Sequence, residues 1–252
     1  MAGPTLIATR FLGVGIGGGV APALRDALGR VEDALRDEYA RAQLSAPDGL
    51  SWPEWHGVHA IGGYRAHGGH HSEGIAIDID YARNGYAPTR TGSTLGGEAA
   101  GAKLPGVRAA FMAACDRACL ETYGRPADLS ARGKGESTGA VWDRWKRVSN
   151  AITAYLMPWY VSDAGTPGPL PSRVPPPQQV AADYVALRTP LVVGAPSLAP
   201  KIARNPARGL MSLRRPVVVA LCDVGGLRWG ACDFGKAESG DIMHFDLARR
   251  IA

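Results

Sequence analysis

The 252-residue sequence predicts an α+β fold. Three observations carry that prediction. Apolar residues recur at helical spacing in three separate segments. Residues 74–80 (GIAIDID) alternate with the period of two that marks a strand. Short apolar runs punctuated by glycine return near the C-terminal end, between residues 217 and 247.

The elements follow in chain order. Residues 21–44 read as a helix, with Leu24, Leu28, Val31 and Leu35 forming one stripe between charged residues. The Gly-rich segment 57–66 (GVHAIGGYRA) suits a short strand and a turn. In 74–80, Ile75, Ile77 and Ile79 alternate with Ala76, Asp78 and Asp80, which predicts one dry and one wet face. Residues 82–104 read as loop. A second helix starts at Pro105 and stops at Gly124, carrying Val107, Phe111, Cys115 and Cys119 on one face. A third, over about 141–157, carries Trp145, Val148, Ile152 and Leu156. The stretch 164–177 (AGTPGPLPSRVPPP) is too proline-rich for regular structure. A short helix is expected over 178–188, then irregular chain over 189–216. Residues 217–222 (VVVALC) read as a strand, Gly225-Gly226 as a tight turn, 227–230 as the start of a return strand, and 241–247 as the final strand.

Composition narrows the class. Apolar residues make up 46% and charged residues 20%, as in ordinary globular chains. The net charge of +5 and a pI near 9.2 favour an acidic partner. No basic run exceeds a pair such as Arg214-Arg215, and no zinc-finger or RNA-recognition signature occurs, so nucleic acid is not the expected partner. No segment is apolar for long enough to span a membrane. The first residues lack a charged leading region, and Arg10 interrupts their apolar run, so they read as mature sequence rather than a signal peptide. The cysteines Cys115, Cys119, Cys222 and Cys232 are too few for a disulfide scaffold. Cys222 and Cys232, flanking the expected hairpin, are open to pairing.

Five of the six histidines lie between residues 56 and 71; the sixth is His244. His71 stands at a loop end and Asp78 on the strand that follows, with the small residues Gly74 and Ala76 between them. That spacing admits two readings. One is a metal site, two ligands aimed at one point with His244 as third donor. The other is a polar loop leading into a strand with a solvated face.

His71 to Asp78 resembles the His-x-x-Gly-x-Ala-x-Asp motif of zinc peptidases that cut bacterial cell-wall peptides, the D-alanyl-D-alanine carboxypeptidase and L-alanyl-D-glutamate endopeptidase family. Leu227-Arg228-Trp229-Gly230, followed by Asp241-Ile242-Met243-His244-Phe245-Asp246, resembles the C-terminal block of the phage-type endopeptidase branch. Gly63-Tyr64-Arg65 is similar to the family's Tyr-Arg element. The three blocks cover about a fifth of the chain. Gly69 departs from the usual serine, and Met243 from the usual Trp or Pro.

The resemblance implies that His71, Asp78 and His244 bind one Zn2+, that Asp241 is the general base, and that Arg65 holds substrate or stabilises the transition state. His70, His67, Asp80 and Asp246 are the expected partners or cleft residues around them. Glu238 is a rival base, and His56 and His59 read as structural or exposed. Asp241 and His244 are an odd number of residues apart, so both reach one site only if a bend precedes the strand. The resemblance also implies a single domain. A small antiparallel sheet carries the zinc, helices pack around it, and 82–216 form a long helical and proline-rich insertion. The expected activity is hydrolysis of peptidoglycan peptides; the alternative is an inactive zinc-containing wall-binding module. Action in the periplasm or wall without a signal peptide implies delivery by lysis or by a secretion system. A holin-type release partner or an immunity protein would then accompany it.

Overall fold

The computed structural model describes residues 3–66, 69–81, 83–84, 87, 104–161, 170–171, 175–193, 205–234 and 240–247. Helix α1 (Pro22–Ser45) begins with a proline in its first turn and buries Leu24, Ala27, Leu28, Val31 and Leu35, the stripe expected from the sequence. A short α2 (Trp52–His56) carries a capping box between Ser51 and Glu54. Helices α3 (Leu104–Tyr123), α4 (Thr138–Leu156) and α5 (Gln178–Val193) pack against one another. Gly124 ends α3 with a φ of +67°, as a left-handed cap requires.

The main sheet contains β1 (Arg10–Phe11), β2 (Val14–Gly17), β3 (Ile61–Gly62), β4 (Ala76–Ile79), β7 (Arg228–Trp229) and β8 (His244–Asp246). Their order is β1-β2-β3-β4-β8-β7. The sheet is mixed, which corrects the expectation of a purely antiparallel one. β2 and β3 run parallel, with Ile16 opposite Ile61 and Gly17 opposite Gly62. A long crossover through α1 and α2 separates those strands, and a crossover of that length permits parallel pairing. The β3–β4, β4–β8 and β7–β8 pairings are antiparallel.

Strand β4 is buried at every position, so its predicted wet face is a polar interior. Ile77 and Ile79 enter the core on one side, while Asp78 is enclosed on the other. The largest departure is the segment 217–222. It forms α6 (Arg215–Val219) and runs on into a π-helical turn (Ala220–Val224) instead of a strand. Pro216 starts the helix, and Val217, Val218, Leu221 and Cys222 are all buried. Burial of that helical face overrides the β preference of the valine run. Gly225 closes the turn against α1: a Cβ there would stand 2.8 Å from Val31. The expected hairpin is therefore absent among the described residues, and Cys222 and Cys232 are buried thiols not joined in a disulfide.

Two smaller corrections concern the proline-rich region. Leu170–Pro171 (β6) pairs with Tyr160–Val161 (β5), so that region contains a short ladder. Among the described residues the ladder has two strands, so each is an edge strand, where proline is tolerated. Helix α5 also extends through Pro190 to Val193, beyond the predicted end. Most of the predicted loop 82–104 lies outside the described residues.

Candidate metal centre

The register of β4 on β8 sets Asp78 directly opposite His244. The third member comes from a 3-10 turn (Gly69–His71) that precedes β4. Gly74 lets the chain turn back from it: its φ is +72°, and a Cβ would meet the Leu6 side chain at 2.7 Å. His71, Asp78 and His244 are all buried, and they form a group whose ligand atoms could hold a metal ion.

The geometry is specific. His71 Nε2 lies 3.1 Å from Asp78 Oδ1 and 3.2 Å from His244 Nδ1, and His244 Nδ1 lies 3.1 Å from Asp78 Oδ1. A tetrahedral ion with N and O ligands at about 2.0–2.1 Å places those ligands roughly 3.3 Å apart. The triangle matches the face of such a site.

The remaining ring nitrogens explain why these atoms face one another. His71 Nδ1 donates to the Gly63 carbonyl at 2.7 Å, which leaves Nε2 with the lone pair. His244 Nε2 donates to Asp246 Oδ2 at 3.3 Å, which turns Nδ1 inward. Burial, then the nearby Arg65 and His244, push the His71 imidazole down to about 4, so it is neutral near pH 7. Three acceptor atoms converging in a buried space repel unless a cation sits among them. The donor set therefore fits a metal ion.

Around the triangle, Arg65 pairs closely with Asp78 Oδ2, and its Nη2 lies 3.4 Å from His71 Nε2. It takes one carboxylate oxygen and leaves the other to the triangle. Asp246 is fully buried and receives two hydrogen bonds from Arg228, at 2.8 and 2.9 Å. Burial opposes its ionisation, but the bonds from His244 and Arg228 outweigh that and hold its carboxyl below the usual range. His70 stands at the rim, its Nε2 3.3 Å from Arg228 and 3.9 Å from Asp246.

Asp241 is buried and heads the turn into β8, in which the His244 amide donates to the Asp241 carbonyl at 3.4 Å. The chain therefore turns between Asp241 and β8. Gly230 makes room for it: a Cβ there would stand 2.5 Å from the Asp241 carbonyl oxygen and 3.1 Å from the His244 Cβ.

Asp80 is the exception among the expected partners. It leaves the strand with a φ of +48°, and its carboxylate accepts the His59 and Ala60 amides at 2.9 and 2.8 Å. It shapes the β3 approach and touches no histidine ring of the triangle. The reason is the backbone turn at residue 80, which breaks the alternation that would have aligned it with Asp78. His56 is structural, buried with its Nδ1 on the Val58 amide, and His59 is exposed. His67 and Glu238 lie outside the described residues.

Sequence reasoning missed Phe234 and gave Gly63 and Arg228 no role of their own. Phe234 sits edge-on to His244 at 5.1 Å and under the Arg228 guanidinium at 4.8 Å. Nothing local in the sequence marks a carbonyl acceptor such as that of Gly63. Arg228 had a signal, its cross-strand position opposite Asp246, but that register exists only in the folded sheet.

A comparison with protein-family models, with curated proteins and with solved structures found no match.

Proposed function

We propose that this chain is a zinc-dependent peptidase acting on peptide bonds of bacterial peptidoglycan, in stem peptides or cross-links. One observation carries the proposal. The two motifs that resemble cell-wall peptidases, His71 to Asp78 and Asp241 to Asp246, are separated by more than half the chain, yet they meet at the Asp78–His244 pairing. Their convergence on three inward-facing acceptor atoms is what a hydrolytic metal site needs.

His71, Asp78 and His244 hold the ion in this reading. Bound zinc would supply Lewis acidity and an attacking water ionised near neutral pH. Asp241, on the turn into β8, accepts the proton of that water and returns it to the leaving amine nitrogen. Arg65 offers its guanidinium to the charge that develops on the former carbonyl oxygen. Gly63 and Asp246 hold the two imidazoles in the tautomers that face inward. The basic net charge suits an anionic wall. Delivery by lysis or by a secretion system belongs to the same proposal.

Mass spectrometry of muropeptides incubated with zinc-loaded protein tests this reading. Wild type is expected to release fragments shortened by hydrolysis. Asp241→Ala is expected to lose hydrolysis while retaining zinc, and His71→Ala to lose both. Intact muropeptides after incubation with stoichiometrically loaded wild type would sink the enzyme reading. Sedimentation with sacculi without cleavage would then favour a wall-binding module.

A further inference from the structure

We infer that Arg228 is a positioning residue for the metal centre: through Asp246 it fixes the His244 ring so that Nδ1 faces Asp78 and His71. The inference rests on the metal-binding reading of that triangle, not on peptidase activity.

Two sheet registers build the relay. On one side of β8, His244 pairs with Asp78 of β4. On the other, Asp246 pairs with Arg228 of β7. Residues 244 and 246 share a face, because side chains alternate along a strand. The sheet thus sets Arg228, Asp246, His244 and Asp78 on one face, in two adjacent cross-strand rows.

The chemistry runs across that face. The Asp246 side chain has no solvent exposure, and that of Arg228 is 13% exposed. Its planar fork grips both oxygens of Asp246, Nε on Oδ1 and Nη2 on Oδ2. Gripping both oxygens fixes the plane of the carboxylate, not only its position. Oδ2 then keeps a lone pair for His244 Nε2. Arg228 is itself fixed, by the Phe234 ring beneath it and by His70 Nε2 beside Nη2. A point charge would balance Asp246 equally well, but it would leave the carboxylate plane free to turn.

The test measures zinc affinity by chelator competition, together with the imidazole signals of His244 in the metal-free protein by 15N NMR. Arg228→Gln is expected to weaken zinc binding by about 10–100-fold, the usual effect of losing such a partner. The protected Nε2–H signal of His244 is expected to disappear with it. Arg228→Lys is expected to lose several-fold, since an ammonium holds one oxygen only. A purely structural arginine would lower the melting temperature of both variants and leave the affinity and the signal of the folded protein unchanged. Wild-type affinity with an intact signal in Arg228→Gln overturns the inference; if that variant does not fold, the same outcome in Arg228→Lys does so. Wild type that binds zinc but cleaves no muropeptide removes the peptidase reading alone. Wild type that binds no zinc removes both.

Discussion

His71 carries a pH dependence whose sign follows from its burial. Its ordinary value is 6.5, and in the fold it drops to about 4. Between those values the unfolded chain binds a proton that the folded chain refuses. The contribution of His71 is therefore complete above about pH 6.5, declines as the pH falls, and levels off near pH 4. The span is roughly 3 kcal/mol at most. Urea titrations of metal-free protein at pH 7 and pH 5 should show this loss, and His71→Asn should show a smaller one. Equal losses in the two proteins would contradict a buried neutral imidazole. Gly230 gives a second test at this scale. Its missing side chain is filled by the Asp241 carbonyl, so Gly230→Ala must push the turn into β8 aside. We expect a loss of about 1–3 kcal/mol in denaturation and weaker zinc binding in calorimetry. Unchanged zinc binding would show that the turn relaxes without moving His244.

Among the elements, α6 separates pattern from context. The run Val217-Val218-Val219 reads as a strand by composition, yet Pro216 and the buried face make it helical. A strand would bury alternate valines; the helix buries the adjacent pair Val217 and Val218 and leaves Val219 partly exposed. Val217→Ala and Val218→Ala are each expected to destabilise by about 1–3 kcal/mol. Val219→Ala should be nearly neutral, because lost packing is offset by better helix propensity. Thermal melts of the three variants check this, and a large effect at Val219 would refute the helical face. The other elements were legible because their patterns agreed with their surroundings. The stripe Leu24, Leu28, Val31 and Leu35 is buried as its spacing required.

Across the whole molecule, α3, α4 and α5 are tied by one buried carboxylate. Asp183 of α5 accepts from Arg117 of α3 through both oxygens, from Tyr155 of α4 at 2.8 Å and from Gln179 at 3.0 Å. Asp183→Ala strands the Tyr155 hydroxyl and one arginine. We expect a loss of about 2–3 kcal/mol, reduced from the fully buried case because Arg117 is partly exposed. Zinc affinity should stay at the wild-type value, since no residue of this network touches the triangle. A fall in affinity would reveal coupling between the helices and the sheet. Chelation acts on the other part. If zinc binds the native state alone, removing it lowers the melting temperature, and added zinc restores it in a concentration-dependent way.

The sequence by itself determined the helical stripes and the β4 strand, because spacing is a local property, and it offered His71, Asp78 and His244 only as candidates that the β4–β8 register then brought together. It did not determine the parallel β2–β3 pairing, the helical fate of 217–222, or the turn that removes Asp80 from the site. Each of these depends on partners distant in the chain, which no local pattern contains. Only the tertiary structure decided that Gly63 and Asp246 fix the two imidazoles and that Arg228 stands opposite Asp246. Strand register creates those contacts, and register is a property of the assembled sheet.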